Sequence, residues 1–355
     1  MNRVQQLRNL MGTDFGAAII ANDFNRSYIT HLNTPEAGTL VLTPGRAVLI
    51  IDFRYIEVAR ANSRDVEVVL QDRLNEQIYD VLKSEKVSKV HLESETTLET
   101  LGAYRKAFPD ITLIEDSMLS YNIHVMRSLK DEDEIACIKR AQAITDLAFD
   151  HICGFIKPGI TERQIAAELE YFMRCNGADG LAFSTIAITG SKTSMPHGVP
   201  GDKIVQEGDF VTMDYGALKD NYCSDMTRTV AVGKISDEQK KVYDIVLNAH
   251  MACFREAHAG MTGKELDSVA RDIIYSAGYT GCFGHSLGHS LGLEIHEAPG
   301  ANQRNNNALD EGVIITIEPG IYLDGKFGVR IENMALLHKD GAENLTNSPR
   351  ELIVL

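Results

Sequence analysis

Four carboxylates interrupt apolar, strand-forming sequence in the second half of this 355-residue chain: Asp214, Asp225, Glu318 and Glu332. The richest passage, Phe210–Val230, reads FVTMDYGALKDNYCSDMTRTV. Both of its halves have strand character, and Leu218-Lys219-Asp220-Asn221 is a turn signal. A hairpin centred on Lys219-Asp220 places Asp214 directly opposite Asp225, and facing residues of an antiparallel pair have Cβ atoms about 4.5–5.5 Å apart. Two carboxylates held that close repel unless one is protonated or a cation lies between them. Apolar surroundings raise the cost of leaving them unpaired. The plainer alternative is a surface ion pair, Asp225 with Arg228 or Asp214 with Lys219.

A second passage concentrates imidazoles. His285, His289 and His296 fall within twelve residues of a chain that has eleven histidines in all. Gly288 and Gly292 flank His289, which suits a backbone that must let a ligand near. Farther on, Ile315-Thr316-Ile317-Glu318 and Val329-Arg330-Ile331-Glu332 are strand-like and separated by a turn signal at Leu323-Asp324-Gly325-Lys326. Each glutamate could be a buried acid paired with Arg330. Taken with the aspartates they make four carboxylates and one imidazole, His289. That hard, oxygen-rich set suits Mn²⁺, Co²⁺ or Fe²⁺, or Zn²⁺, and argues against a thiolate site. Two ions about 3.5–4 Å apart would share bridging carboxylates and a hydroxide, a nucleophile that needs no Ser or Cys. No G-x-S-x-G elbow, phosphate-binding G-x-x-x-x-G-K-[ST] loop or H-E-x-x-H helix competes with this assignment.

The elements that must position these residues read as two domains, 1–125 and 126–355. In the first, short apolar runs at Ala17–Ile20, Thr39–Leu42, Ala47–Asp52, Val66–Leu70, Lys89–Leu92 and Thr112–Ile114 alternate with helical patterns such as Leu74–Glu85. His31 and His91 are isolated there, so this α/β domain is expected to shape the site rather than perform chemistry. A polar stretch at Met126–Asp131 precedes a long helix with Ile135, Ile138, Ala141, Ile144, Leu147 and Ala148 at helical spacing, stopped by Lys157-Pro158-Gly159. Thr161–Gln164 is a capping box opening a helix that ends at Asn176-Gly177. The pattern then recurs: Ser236–Gln239 caps a helix running to about His258, and Thr262–Glu265 caps another ending at Gly278. Aligning Gly159 with Gly260 matches Thr161 to Thr262, Ile165 to Leu266 and Gly177 to Gly278. The second half is therefore expected to be an internal duplication whose two helix–helix–sheet units face one another across a concave site.

Bulk properties exclude other classes. A formal net charge of −15 offers a polyanion no Lys/Arg stripe, so nucleic acid is not an expected partner. The first twenty residues carry no signal-peptide pattern, and no run approaches the roughly 18 apolar residues of a membrane span. Six cysteines without CxxC spacing point to neither a disulfide framework nor a zinc ribbon, and the reducing cytoplasm is the expected compartment.

The three ligand-bearing passages resemble the metallopeptidases of the "pita-bread" fold: aminopeptidase P, prolidase and methionine aminopeptidase, with metal-free creatinase as a cousin. The resemblance covers about Arg127 to Leu355, and the first domain resembles the creatinase-type domain of the Xaa-Pro branch. It implies an α+β fold, with a pseudo-twofold pita-bread domain behind a smaller α/β domain. It also implies roles by matching position. Asp214 chelates one metal, Asp225 and Glu332 bridge both, and His289 and Glu318 hold the other, with Glu318 also transferring a proton from the bridging water. His197, in Met195-Pro196-His197-Gly198, matches a histidine that contacts substrate near the scissile bond. His285 and His296 match pocket histidines, His296 being placed to stabilise the tetrahedral intermediate, and Tyr322 and Arg330 match residues that orient the ligands on the substrate side. The implied activity is hydrolysis of the Xaa-Pro bond at the amino terminus of peptides or dipeptides, with two divalent ions (Mn first) and a homodimeric assembly. Some short prolidases carry an arginine just after the His-Glu-x-Pro stretch, suited to a dipeptide carboxylate; here Gly300 follows His296-Glu297-Ala298-Pro299. The alternatives are a relative with the same fold and no catalysis, or a metallopeptidase without proline specificity. A phosphatase-like carboxylate enzyme lacks the phosphate loop and basic pocket it would need.

Overall fold

The computed structural model describes residues 2–355 and divides into two compact units, up to Arg127 and from Ser128 onward. The first holds helices α1 (Arg3–Met11), α2 (Asp23–Thr30), α3 (Ile56–Asn62), α4 (Leu74–Ser84), α5 (Leu98–Ala107) and α6 (Met118–Ser128). Its strands are β1 (Ala18–Ile20), β2 (Thr39–Leu42), β3 (Ala47–Ile51), β4 (Glu67–Leu70), β5 (Lys89–Leu92) and β6 (Thr112–Ile114). They form one mixed sheet in the order β4-β3-β2-β1-β5-β6. Ile19, Val41, Val48, Ile50 and Val90 of the sheet share a core with Ile78, Leu82 and Tyr104 of α4 and α5. The apolar runs are legible because both faces of the central strands are covered.

The second unit is built from two helix pairs. The first is α7 (Glu132–Phe155) with α8 (Glu162–Cys175), and the second is α9 (Asp237–Glu256) with α10 (Gly263–Ser276). All four helices start with a complete capping box, on Asp131, Thr161, Ser236 and Thr262. The repeat is reproduced in the backbone. Gly159 and Gly260 have φ of 98° and 100°, Gly177 and Gly278 have φ of 100° and 94°, and Thr161 and Thr262 each form an isolated β-bridge, to Ile204 and Ala308. Within α7 one expectation fails: Leu147 is 52% exposed, and the buried stripe continues through Phe149 and Ile152.

Strands β7 (Gly180–Leu181), β8 (Ile186–Thr189), β9 (Phe210–Tyr215), β10 (Ala217–Lys219), β11 (Tyr222–Cys223) and β12 (Met226–Ala231) serve the first pair; β13 (Gly288–Ser290), β14 (Glu297–Ala301), β15 (Ile314–Ile317), β16 (Gly320–Leu323), β17 (Phe327–Arg330), β18 (Asn333–His338) and β19 (Gly341–Asn344) serve the second. The sheets run β12-β9-β8, β11-β10-β7 and β14-β13-β15-β18-β19, with β16-β17 a separate hairpin. Each half has its own core. Phe149, Ile165 and Leu169 pack on Met213 and Val230 in one, and Val246, Leu266 and Ile274 pack on Ile315 and Val329 in the other. Among the described residues no helix is long and apolar enough to cross a membrane.

Candidate metal centre

The hairpin carrying the two aspartates has a different register from the expected one. Leu218 pairs with Cys223 and Lys219 with Tyr222, so the turn is Asp220-Asn221. Both residues take positive φ, 51° and 69°, the geometry of a two-residue turn that matches strand twist and that Asp and Asn tolerate. Asp214 is consequently opposite Thr227, not Asp225. Because side chains alternate with period two, the shift by two keeps both aspartates on one face, as diagonal neighbours. The surface-pair alternatives also fail. Lys219 pairs with Asp179, and the fully buried Arg228 donates to the carbonyls of Thr227, Glu332, Ser348 and Pro349 and to Asn333 Oδ1.

One cavity of about 520 Å³ collects Asp214, Asp225, His289, Glu318 and Glu332, together with His197, His285, His296 and Arg330. Glu318 lies just past β15, and Glu332 lies between β17 and β18. Asp225, His289 and Glu332 present donor atoms all within 4.8 Å of one another. Arg330 partners Asp214, Nη2 to Oδ2 at 2.6 Å, rather than either glutamate. Its Nε donates to Thr227 Oγ1 at 3.0 Å, and that hydroxyl donates to Glu332 Oε2 at 2.7 Å. Its Nη1 donates to Tyr322 OH at 2.8 Å. Tyr322 itself is near the cavity through this bond and through His285 Nε2 at 2.9 Å.

Burial pushes the Asp225 carboxyl well above its usual range, and Glu332, Asp214 and Glu318 push it further. The same two causes, burial first, raise Glu318, and they raise Glu332 to about 8. Burial lowers His289 and His285 to about 4, so both imidazoles are neutral at pH 7. His289 Nδ1 faces Ser290 O at 3.1 Å, which leaves the Nε2 lone pair turned toward Asp225 Oδ2 and Glu318 Oε1, each at 3.5 Å. A lone pair aimed at two carboxylate oxygens is stabilised by a cation among them, or by a proton on one of the two carboxyls. Among the described residues, the buried Asp214 Oδ1 and Glu332 Oε1 have no hydrogen-bond partner. The donor set and these orphaned oxygens fit divalent metal.

The histidines differ in their settings. His285 Nδ1 faces Ser286 O, so its Nε2 accepts from Tyr322 OH. His296 is exposed, its ring 4.4 Å from that of His289 and steeply inclined to it. His197 is exposed at the cavity wall. Gly288 lines the cavity, yet the missing side chains also make room for protein: a Cβ on Gly288 would lie 1.8 Å from Thr316 O, and one on Gly292 would meet Glu297 and Lys130. The glycines admit neighbouring protein. Gly300 lines the cavity.

Thr227 and Thr316 were not singled out from the sequence, yet both brace carboxylates. Thr316 Oγ1 donates to Glu318 Oε1 at 3.2 Å and accepts from His289 N at 3.0 Å. The available signal was spacing: Asp225-x-Thr227 and Thr316-x-Glu318 each share one face of extended chain. Asp267 and Arg271 on α10 were also missed. Asp267 accepts from Leu287 N, and Arg271 donates to His285 O, which seats the histidine-bearing segment from behind.

Comparison with known proteins agrees with this arrangement. Residues 136–339 match Metallopeptidase family M24, and residues 3–123 match the Creatinase/Prolidase N-terminal domain. A Xaa-Pro dipeptidase of Pyrococcus horikoshii is 39% identical over 337 residues, covering 95% of this chain and 94% of that protein. The solved Xaa-Pro dipeptidase from Bacillus anthracis superposes with a TM-score of 0.95 at 39% identity, covering 99% of both chains. The X-Pro aminopeptidase from Thermotoga maritima gives 0.91 at 39% identity, covering 99% of this chain and 100% of that one. With a creatinase-type domain ahead of a pita-bread domain, and acids and imidazole gathered in one cavity, this chain belongs to metallopeptidase family M24.

Proposed function

We propose that this enzyme is an exopeptidase that uses two divalent cations to hydrolyse the bond preceding proline at the amino terminus of a peptide or dipeptide. The observation that carries the reading is His289 Nε2 facing Asp225 and Glu318 oxygens at 3.5 Å beside the unpartnered Asp214 Oδ1 and Glu332 Oε1. Asp214, Asp225, His289, Glu318 and Glu332 would hold the ions, Asp214 toward one and His289 with Glu318 toward the other, with Asp225 and Glu332 serving both. When bound, the ions supply Lewis acidity and a hydroxide nucleophile available near neutral pH.

The side chains of this chain do the rest. Glu318, oriented by the Thr316 hydroxyl, accepts the proton of the attacking water and returns it to the departing proline nitrogen. His296, beside His289, donates to the oxyanion of the tetrahedral intermediate. His197 contacts substrate near the scissile bond, and His285 and Tyr322 line the pocket, with Arg330 holding Tyr322 and Asp214 in register. Residues 126–355 carry the chemistry, since every residue lining the cavity belongs to them. Manganese heads the candidate ions because the donors are mostly oxygen. Six free thiols accord with the cytoplasm, and a homodimer is the assembly the family resemblance implies.

The names of the relatives, dipeptidase and aminopeptidase, support the substrate class and divide over its length. The test compares Ala-Pro, Ala-Pro-Ala and Ala-Ala with Mn²⁺-loaded protein. Cleavage of one or both proline peptides but not of Ala-Ala is expected, with loss on chelation. A Glu332→Ala protein that stayed fully active after chelation would sink the reading.

A further inference from the structure

The loop from Thr189 to Gly201 carries His197 and has little apolar burial to hold it. Met195 and Val199 are 56% and 77% exposed, and His197 itself is exposed. Loops of this kind open easily unless polar contacts close them. Here a single carboxylate closes both ends. Glu162, the first residue of α8 and fully buried, accepts from Thr189 N through Oε1 at 2.9 Å and from Gly201 N through Oε2 at 2.9 Å. Lys192 reaches the same carboxylate at 2.6 Å and also donates to Val199 O at 2.6 Å, crossing the loop from one limb to the other. At the far side, Arg330 Nη1 donates to Pro196 O at 3.3 Å, and Gly328 N donates to Thr193 Oγ1 at 2.9 Å. The His197 loop is thus clamped between a partly buried ion pair outside the cavity and the arginine that holds Asp214.

The duplication shows that this clamp is particular to one half. Glu162 N and Arg163 N donate to Lys203 O and Gly201 O, and the matching Gly263 N and Lys264 N donate to Asn307 O and Asn305 O. The two loops therefore dock on the two helix starts in the same backbone manner. At the position matching Glu162 the second half has Gly263, where a Cβ would lie 2.3 Å from Gly300 O. Backbone contact and Asn305 Nδ2, donating to Gly300 O at 2.8 Å, close the second loop without a charge.

We propose that Glu162 and Lys192 are positioning residues for His197, holding it at the cavity by closing the Thr189–Gly201 loop. The inference rests on the substrate-contact role given to His197 above. The buried carboxylate combines charge-assisted bonds from two backbone N–H groups and one ammonium, a strong and directional set, and a helix start favours its charge.

The test is a set of double-mutant cycles on Mn²⁺-loaded protein with Ala-Pro or Ala-Pro-Ala, whichever is cleaved. Lys192→Met and Glu162→Gln are each expected to lower kcat/KM by about tenfold to a hundredfold, the size of effect that misplacing a reacting or binding group produces. In the His197→Ala background neither is expected to cost anything further, because the residue they act through is gone. Mn²⁺ affinity by calorimetry should be unchanged, and amide exchange across residues 190–201 should accelerate in Lys192→Met. Losses of the same size with and without His197, or no loss at all, overturn the proposal. Should Glu162→Gln fail to fold, Lys192→Met decides, since that side chain is 24% exposed. A His197→Ala protein as active as wild type would instead remove the role given to His197, and the exchange rates would then report separately whether the pair holds the loop.

Discussion

Arg330 and Asp214 form a buried pair, Nη2 to Oδ2 at 2.6 Å, in which one guanidinium also holds Thr227 and Tyr322. The pair leaves Asp214 Oδ1 buried and, among the described residues, with no hydrogen-bond partner, so the arginine neutralises part of the acid cluster while one oxygen stays unpaired. A lysine would offer one point charge where Arg330 uses three nitrogens. Arg330→Lys is therefore expected to weaken Mn²⁺ binding and to lower kcat/KM by about tenfold to a hundredfold, as loss of a ligand-orienting partner does. Calorimetric Mn²⁺ affinity equal to wild type would refute this.

Metal-free protein should lose stability as pH rises above neutrality. Burial and neighbouring acids raise Glu332 to about 8, whereas an unfolded glutamate titrates near 4.3. Between these values the folded state holds a proton that the unfolded state has released, so stability falls as pH increases. The histidine contribution has the opposite sign and is over by about pH 7, because buried His285 and His289 sit lowered to about 4 and unfolded histidine titrates near 6.5. The Tm of chelated wild type should fall more steeply between about pH 7 and about pH 8 than that of chelated Glu332→Gln. Parallel slopes would contradict the assignment.

Gly288→Ala should be severe. Its Cβ would lie 1.8 Å from Thr316 O, a backbone atom that cannot step aside without moving β13 against β15 and with it His289 and Glu318. A loss of about 3 kcal/mol, at the upper end for forced overpacking, is expected by denaturant titration. Gly154→Ala in α7, where nothing lies within 4 Å, should instead gain up to about 1 kcal/mol.

The turn between β10 and β11 can be tested by the order of two substitutions. Asn221 has φ of 69°, a conformation glycine adopts freely and alanine at a cost of about 1–2 kcal/mol. Both Asn221→Gly and Asn221→Ala remove the side chain, so Asn221→Ala should be the more destabilising of the two. A turn centred on Lys219-Asp220 would make Asn221 a strand residue and reverse the order.

Much of this protein is written locally. The capping boxes at Thr161, Ser236 and Thr262, the two helix pairs, the Gly159/Gly260 and Gly177/Gly278 stops and the six strands of the first domain follow from spacing and from residues with special backbone preferences, and each is a short-range property of the chain. That the four acids would gather with an imidazole was equally legible, because acids inside apolar strands cost too much unless something brings compensating groups to them. What the chain alone left open depends on distance across the fold. Whether Arg330 pairs with Asp214 or with a glutamate, and whether Gly288 makes room for the Thr316 carbonyl, is settled by how separate strands pack. The Asp214–Asp225 register turned on a two-residue choice of turn that side-chain alternation could not resolve, since a shift of two leaves every residue on the same face. The loop closed by Glu162 joins residues 27 to 39 positions away from it, and no local pattern marks the first residue of a helix as the partner of a distant loop. Such contacts come into existence only when the chain packs, and tertiary structure alone decides them.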